Sequence, residues 1–249
     1  MLKPFFTKLW TDYPQVKQME NDFGSVKSHY EKLISSVGFI VSVCPFCGIE
    51  SFEPPTGKYR EAYDHFIAKA NYPFVSINFD LLFPACHKCN SNEKRDIDTL
   101  YRKDSSRRLV YYPYNPITSN SLSILIQPKE DYSKTTLQTL LKTLPTNIEL
   151  RRNGNEEEEL TSWDEVFNIK RRYLEKITHL ESEWFKHLLK IYKRSKSKGE
   201  SFQTFKEEIL VDCEDQIYVS PQTILKYSYY KFLFDSEKFQ ERLDYISEN

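Results

Sequence analysis

Glycine is scarce in this chain: only six occur in 249 residues, at positions 24, 38, 48, 57, 154 and 199. No pair of them frames GxGxxG or GxxxxGK(S/T), so neither common phosphate-cradling loop can form, and dinucleotide-binding enzymes and P-loop NTPases are excluded. No GxSxG nucleophile elbow is present either. Charge of one sign is also lacking. Thirty-five Lys and Arg face 36 Asp and Glu, a formal net charge of −1, which excludes a uniformly basic chromatin-type binder and an acidic-tail protein. Long apolar runs are missing as well. The longest uncharged stretches, Leu109 to Pro128 and Leu33 to Ile49, are broken by Pro, Gly, Asn, Ser and Thr and read as buried strands leading into turns. The opening MLKPFFTKLW carries Lys3, Pro4 and Lys8 and never develops the apolar core of a signal peptide. A cytoplasmic, non-membrane protein with reduced thiols is expected.

A hydrophobic content of 39%, with 15% aromatic and 29% charged residues, describes a folded globular chain with enough length for one large or two modest domains. Helical spacing of Val16, Met19, Phe23, Val26, Tyr30, Leu33 and Ile34 predicts one or two amphipathic helices over about 14–36, within an N-terminal helical segment 1–38. Residues 39–110 hold the cysteine pairs and a basic stretch. A connector over 111–161 is β-prone, with LVYYPY beginning just ahead of it and LSILIQP and NIELR inside it, punctuated by Pro113, Pro116, Pro128 and Pro145. Glu156–Glu159 reads as a solvated hairpin or loop. The C-terminal region 162–249 opens with SWDEV as an N-cap and acidic first turn. A helical stripe follows from Val166 through Ile169, Tyr173, Ile177, Leu180, Trp184, Leu188, Ile191 and Tyr192, and a second helical stretch begins near Ser220–Pro221.

The chemistry concentrates in the cysteines. Of five, four form two CxxC knuckles, Cys44-Pro-Phe-Cys47 and Cys86-His-Lys-Cys89, with 38 residues between them. Two such knuckles can complete a tetrahedral four-thiolate zinc site, whereas a single CxxC could equally be a redox pair. The separation exceeds that of a simple zinc ribbon, so a substantial segment is inserted between the knuckles. The four thiols already complete the set, so His87 reads as a surface residue. His29, His179 and His187 sit in helical patterns with no partner visible in sequence, and Cys213 reads as a buried thiol.

The insert contains Asp64-His65, and the second knuckle continues as CHKCNSNEK, giving C-x-x-C-N-x-x-x-K at 86–94. Together these features resemble the HNH (ββα-metal) nuclease family in its HNN form, over about residues 44–98. The resemblance implies an α+β protein: a small ββα-metal module of two antiparallel strands and a helix beginning near Asn90. The four-cysteine zinc site would staple this module inside a mostly helical chain with a short β segment. It implies Asp64 and the Asn90 carbonyl as ligands of a catalytic Mg2+ or Mn2+, both hard oxygen donors. It also implies His65 as the general base that activates water, although on an extended strand neighbours point to opposite sides. The pattern departs from the family in two places. The usual position of the middle asparagine is Leu81, and Asn78 either braces the loop from a shifted register or that role is lost. Ala68 stands where a proline often precedes the lysine, here Lys69.

Nucleic acid is the expected partner, with DNA foremost and RNA as the alternative substrate. Residues 87–108 carry seven basic against four acidic side chains, and residues 170–198 carry ten against three, so the near-zero net charge conceals segregation. Lys94, Arg95 and Lys69 are the expected phosphate contacts. Tyr111, Tyr112 and Tyr114 could stack on bases but read as strand and core residues. An HNH module within helical flanks resembles effector subunits of bacterial anti-phage systems such as Septu, which implies a separate ATPase partner protein. The rival reading is a zinc-stapled nucleic-acid-binding or scaffold module without catalysis.

Overall fold

The structure, a computed structural model, describes residues 2–35, 43–53, 59–109, 122–127, 147–152, 157–217, 219–236 and 238–248. The fold is mixed α+β with two small sheets among the described residues. Contacts divide the chain into two compact units, residues 1–120 with 157–168, and residues 121–156 with 169–249.

The first unit begins with three helices: α1 (Leu2–Asp12), α2 (Lys17–Phe23) and α3 (Val26–Ser35). The predicted helical stretch is thus split at Gly24, whose φ of 89° ends α2 in a conformation that residues with a Cβ rarely adopt. Helix α1 falls within the expected N-terminal helical segment 1–38, ahead of the 14–36 stretch. Two short strands, β1 (Tyr63–His65) and β2 (Leu82–Pro84), pair antiparallel with Asp64 opposite Phe83 and His65 opposite Leu82. Strand alternation sorts their side chains. Tyr63 and Leu82 join Tyr13, Val26 and Tyr30 in one buried cluster, with Trp10 and Phe79 packed against it. On the other face Phe83 meets the rings of Phe46 and Phe66. After β2 the chain enters a seven-residue π-helix, Lys88–Lys94, that contains Asn90.

Helix α4 (Glu158–Phe167) returns to this unit from far along the sequence. Glu158 and Glu159, expected in a solvated loop, instead form its first turn, where carboxylates complement the helix dipole. The expected continuous stripe from Val166 onward is interrupted at Asn168, a left-handed C-cap with φ of 50° that asparagine tolerates. Trp163 ties α4 to the first knuckle, its Nε1–H donating to Phe46 O at 2.8 Å, while the Phe167 and Phe46 rings pack at a 30° tilt with centroids 4.9 Å apart.

In the second unit β3 (Leu122–Gln127) and β4 (Asn147–Arg152) pair antiparallel along their whole length, as the β-prone runs predicted. Ile124, Ile126, Ile148 and Leu150 are buried. Helices α5 (Ile169–Ser197), α6 (Phe202–Asp215), α7 (Thr223–Phe234) and α8 (Phe239–Glu248) supply the rest of the core. Tyr173, Ile177, Trp184, Leu188 and Tyr192 form the buried stripe of α5, and the Tyr230 hydroxyl donates to Trp184 O at 2.9 Å. Cys213 is a buried thiol on α6, as expected. Among the described residues, no helix is long and apolar enough to cross a membrane.

Candidate functional site

The four knuckle cysteines converge. Their sulfurs all lie within 4.8 Å of one another, and every one is buried. Cys44 Sγ is 3.9 Å from Cys89 Sγ, and Cys47 Sγ is 3.9 Å from Cys86 Sγ, pairing each thiol with one from the other knuckle. A tetrahedral zinc with bonds of about 2.3 Å requires sulfurs about 3.8 Å apart, so the spacing fits such an ion. None of the four is disulfide-bonded. Backbone N–H groups of Cys86 and Cys89 point at sulfurs, at 3.4 and 3.5 Å, as thiolate-stabilising second contacts do. Gly48, with φ of 62°, closes the first knuckle by donating to Cys44 O at 2.7 Å. Without a cation, burial pushes the Cys44 and Cys89 thiols well up. A divalent metal offsets that cost by binding the thiolates. The cluster is therefore compatible with a structural metal such as zinc.

The resembled signature residues surround the β1–β2 hairpin. Asp64 is 2% exposed, and Lys94, the last residue of the π-helix, holds its Oδ1 at 3.0 Å. Lys94 Nζ also donates to His65 O at 2.7 Å and is itself only 1% exposed. Burial raises the Asp64 carboxyl while Lys94 opposes that shift. The second oxygen, Oδ2, is buried with no hydrogen-bond partner among the described residues. Asn90 lies beside the same strand, its Nδ2 donating to Tyr63 O at 3.3 Å.

His65 takes the other face of the hairpin. Its ring meets Trp10 edge-on, with centroids 4.9 Å apart, and its Nε2 lies 3.1 Å from Ser76 O. Burial first, then Lys69 nearby, pushes His65 down to about 4, so the imidazole is neutral at pH 7. Asn78 is exposed and caps the short turn Phe79–Leu81, accepting from Asp80 N at 3.0 Å. It braces that turn, and its oxygen is engaged there rather than at His65.

The expected phosphate contacts separate. Lys94 is corrected: it is buried and ion-paired because Asp64 demands a counter-charge inside the module, so it offers no surface to a phosphate. Arg95 is exposed, and Lys69 is half-buried with burial lowering its ammonium. Arg102 and Arg108, which contribute to the basic stretch, are tied to Glu165, and Arg102 also to Glu158 of α4. Acidic residues from more than fifty positions away thus neutralise part of that patch. His87 is exposed, as expected. Tyr111, Tyr112 and Tyr114 lie outside the described residues.

Two residues of this environment went unread in the sequence. Trp10 had a detectable signal, since Phe6, Leu9, Trp10 and Tyr13 fall at helical spacing. Ser76 had none. Comparison of the chain with protein-family models, curated proteins and solved structures gives no match.

Proposed function

We propose that this protein is a metal-dependent HNH-type endonuclease that hydrolyses phosphodiester bonds, with DNA as the first substrate to test. The carrying observation is the junction of hairpin and π-helix beside the cysteine cluster. There Asp64 carries a buried, unpartnered Oδ2, and Asn90 lies against the residue before it, with its amide nitrogen engaged at Tyr63 O. An orphaned buried carboxylate oxygen with an asparagine nearby suits a hard divalent cation, so Asp64 and Asn90 would hold Mg2+ or Mn2+. Such an ion supplies charge stabilisation at the scissile phosphate.

His65 would be the general base. A carbonyl can only accept, so the Nε2 that faces Ser76 O keeps its proton, and Nδ1 is the nitrogen left to take one from water. The neutral imidazole is ready to do so at pH 7. In this reading zinc is structural, holding the second knuckle and the π-helix against the hairpin. Exposed Arg95 and half-buried Lys69 would contact the phosphate backbone. Control by a separate ATPase chain in an anti-phage system extends the same proposal.

A second reading has its own support. Lys94 already satisfies one oxygen of Asp64, and Asp64 and His65 occupy opposite faces of the strand. Both facts suit a zinc-stapled binding or scaffold module that cuts nothing. Incubating the zinc-loaded protein with plasmid DNA and with RNA, in Mg2+, Mn2+ or EDTA, separates the two. Cation-dependent cleavage supports the nuclease, and binding without cleavage supports the scaffold.

A further inference from the structure

The N-terminal helix reaches the same imidazole by two routes. Ser76 is 0% exposed in the loop between β1 and β2 and is bonded in two directions. Its Oγ donates to Phe6 O of α1 at 2.8 Å, across 70 positions of sequence, while its carbonyl accepts from His65 Nε2 at 3.1 Å. Trp10, about one turn further along α1, sets its ring perpendicular to the His65 ring, at 85° with centroids 4.9 Å apart. The same indole also reaches Tyr63, with centroids 6.1 Å apart.

An imidazole on a strand has two side-chain torsions to fix. One hydrogen bond anchors a single nitrogen and selects the tautomer; a ring contact fixes the plane. The hydrogen bond would not hold if the loop carrying the acceptor could drift. The Ser76 hydroxyl prevents that by fastening the loop to a helix backbone carbonyl. Asn78 supplies no such link, because its oxygen is engaged two residues on, at Asp80 N.

We infer that Ser76 and Trp10 are positioning residues for His65, so that α1 is a working part of the site and Nδ1 is the nitrogen left free to act. The catalytic consequence rests on the nuclease reading; the positioning itself does not. Misplacing a reacting group by about 1 Å can cost about 100-fold in rate, and loss of one of two constraints should cost less.

The test uses the full chain, zinc-loaded and labelled with 15N-histidine, the His65 signals being assigned with His65→Gln. At pH 7.5 a long-range 1H–15N spectrum reads which ring nitrogen carries the proton. The wild type should show the Nε2–H tautomer alone. Ser76→Ala and Trp10→Ala should each give a mixture of tautomers, while Trp10→Phe and Asn78→Ala stay like wild type. In cleavage, Ser76→Ala should lower kcat about tenfold with KM unchanged when rates are normalised to folded, zinc-loaded protein, so that loss of folded protein cannot account for the fall. Should Trp10→Ala fail to fold, Ser76→Ala decides alone, since it removes a single oxygen. An Nδ1–H tautomer in the wild type would overturn the inference, as would an unaltered Nε2–H tautomer in Ser76→Ala. If His65→Gln cleaves like wild type, the nuclease reading fails, and the tautomer result still decides the positioning.

Discussion

Lys94 Nζ lies 3.0 Å from Asp64 Oδ1 inside the first unit, with the two side chains 1% and 2% exposed. A buried pair of this kind is strongly destabilising to break and nearly neutral to replace whole, because the cost lies in leaving one charge unmatched. Lys94→Met should therefore lower unfolding stability by about 3–5 kcal/mol. The double variant Lys94→Met/Asp64→Leu should recover most of that loss. Urea denaturation at fixed zinc concentration, run as a double-mutant cycle, measures the coupling.

The cysteine cluster gives a second expectation. Trp163 hydrogen-bonds to Phe46 O, and Phe46 sits inside the first knuckle, so α4 depends on the geometry of that knuckle. In a Trp10→Phe/Trp184→Phe background, chelation of the metal should shift Trp163 emission to the red as its indole meets water. Readdition of zinc should reverse the shift. Elemental analysis should find one zinc per chain and none in Cys44→Ser/Cys89→Ser. Unchanged emission on complete removal would argue against a structural metal.

His65 gives a pH dependence with a definite sign. Its folded-state value is depressed to about 4, below the ordinary imidazole value of 6.5. As pH falls below 6.5, the unfolded chain takes up a proton that the folded state refuses, so stability is lost progressively down to about 4. The loss should reach about 2 kcal/mol by pH 5. His65→Gln removes it, so the stability difference between wild type and variant should change by that amount between pH 7.5 and 5. The buried Asp64 and the thiols are common to both proteins and cancel in the difference.

The legible parts of this molecule were those written in short spacing. Two CxxC knuckles brought four thiols together across 38 intervening residues, because each knuckle sets two thiols on one tight turn and two knuckles complete a tetrahedral set. The β-prone runs LSILIQ and NIELRR paired as strands, since alternating apolar residues needed one buried face. What escaped were relationships between distant residues. Nothing local marks Lys94 as the partner of a carboxylate 30 positions earlier, so it read as a phosphate contact. Glu158 read as solvated, and Glu165 as part of an acidic first helical turn, because their arginines lie more than fifty residues away. The break at Asn168 went unseen because asparagine permits a left-handed cap without demanding one.

The proposed nuclease activity places Asp64, His65 and Asn90 at the scissile phosphodiester bond. Its most direct measurement is conversion of supercoiled plasmid to nicked and linear forms by zinc-loaded protein in Mg2+ or Mn2+, wild type beside His65→Gln. The wild type should show cation-dependent cleavage, abolished by EDTA, and His65→Gln should lose about 100-fold or more while folding and zinc content are retained. Cleavage at equal rates by the two proteins would contradict it, as would a zinc-loaded, folded wild type that cuts neither DNA nor RNA.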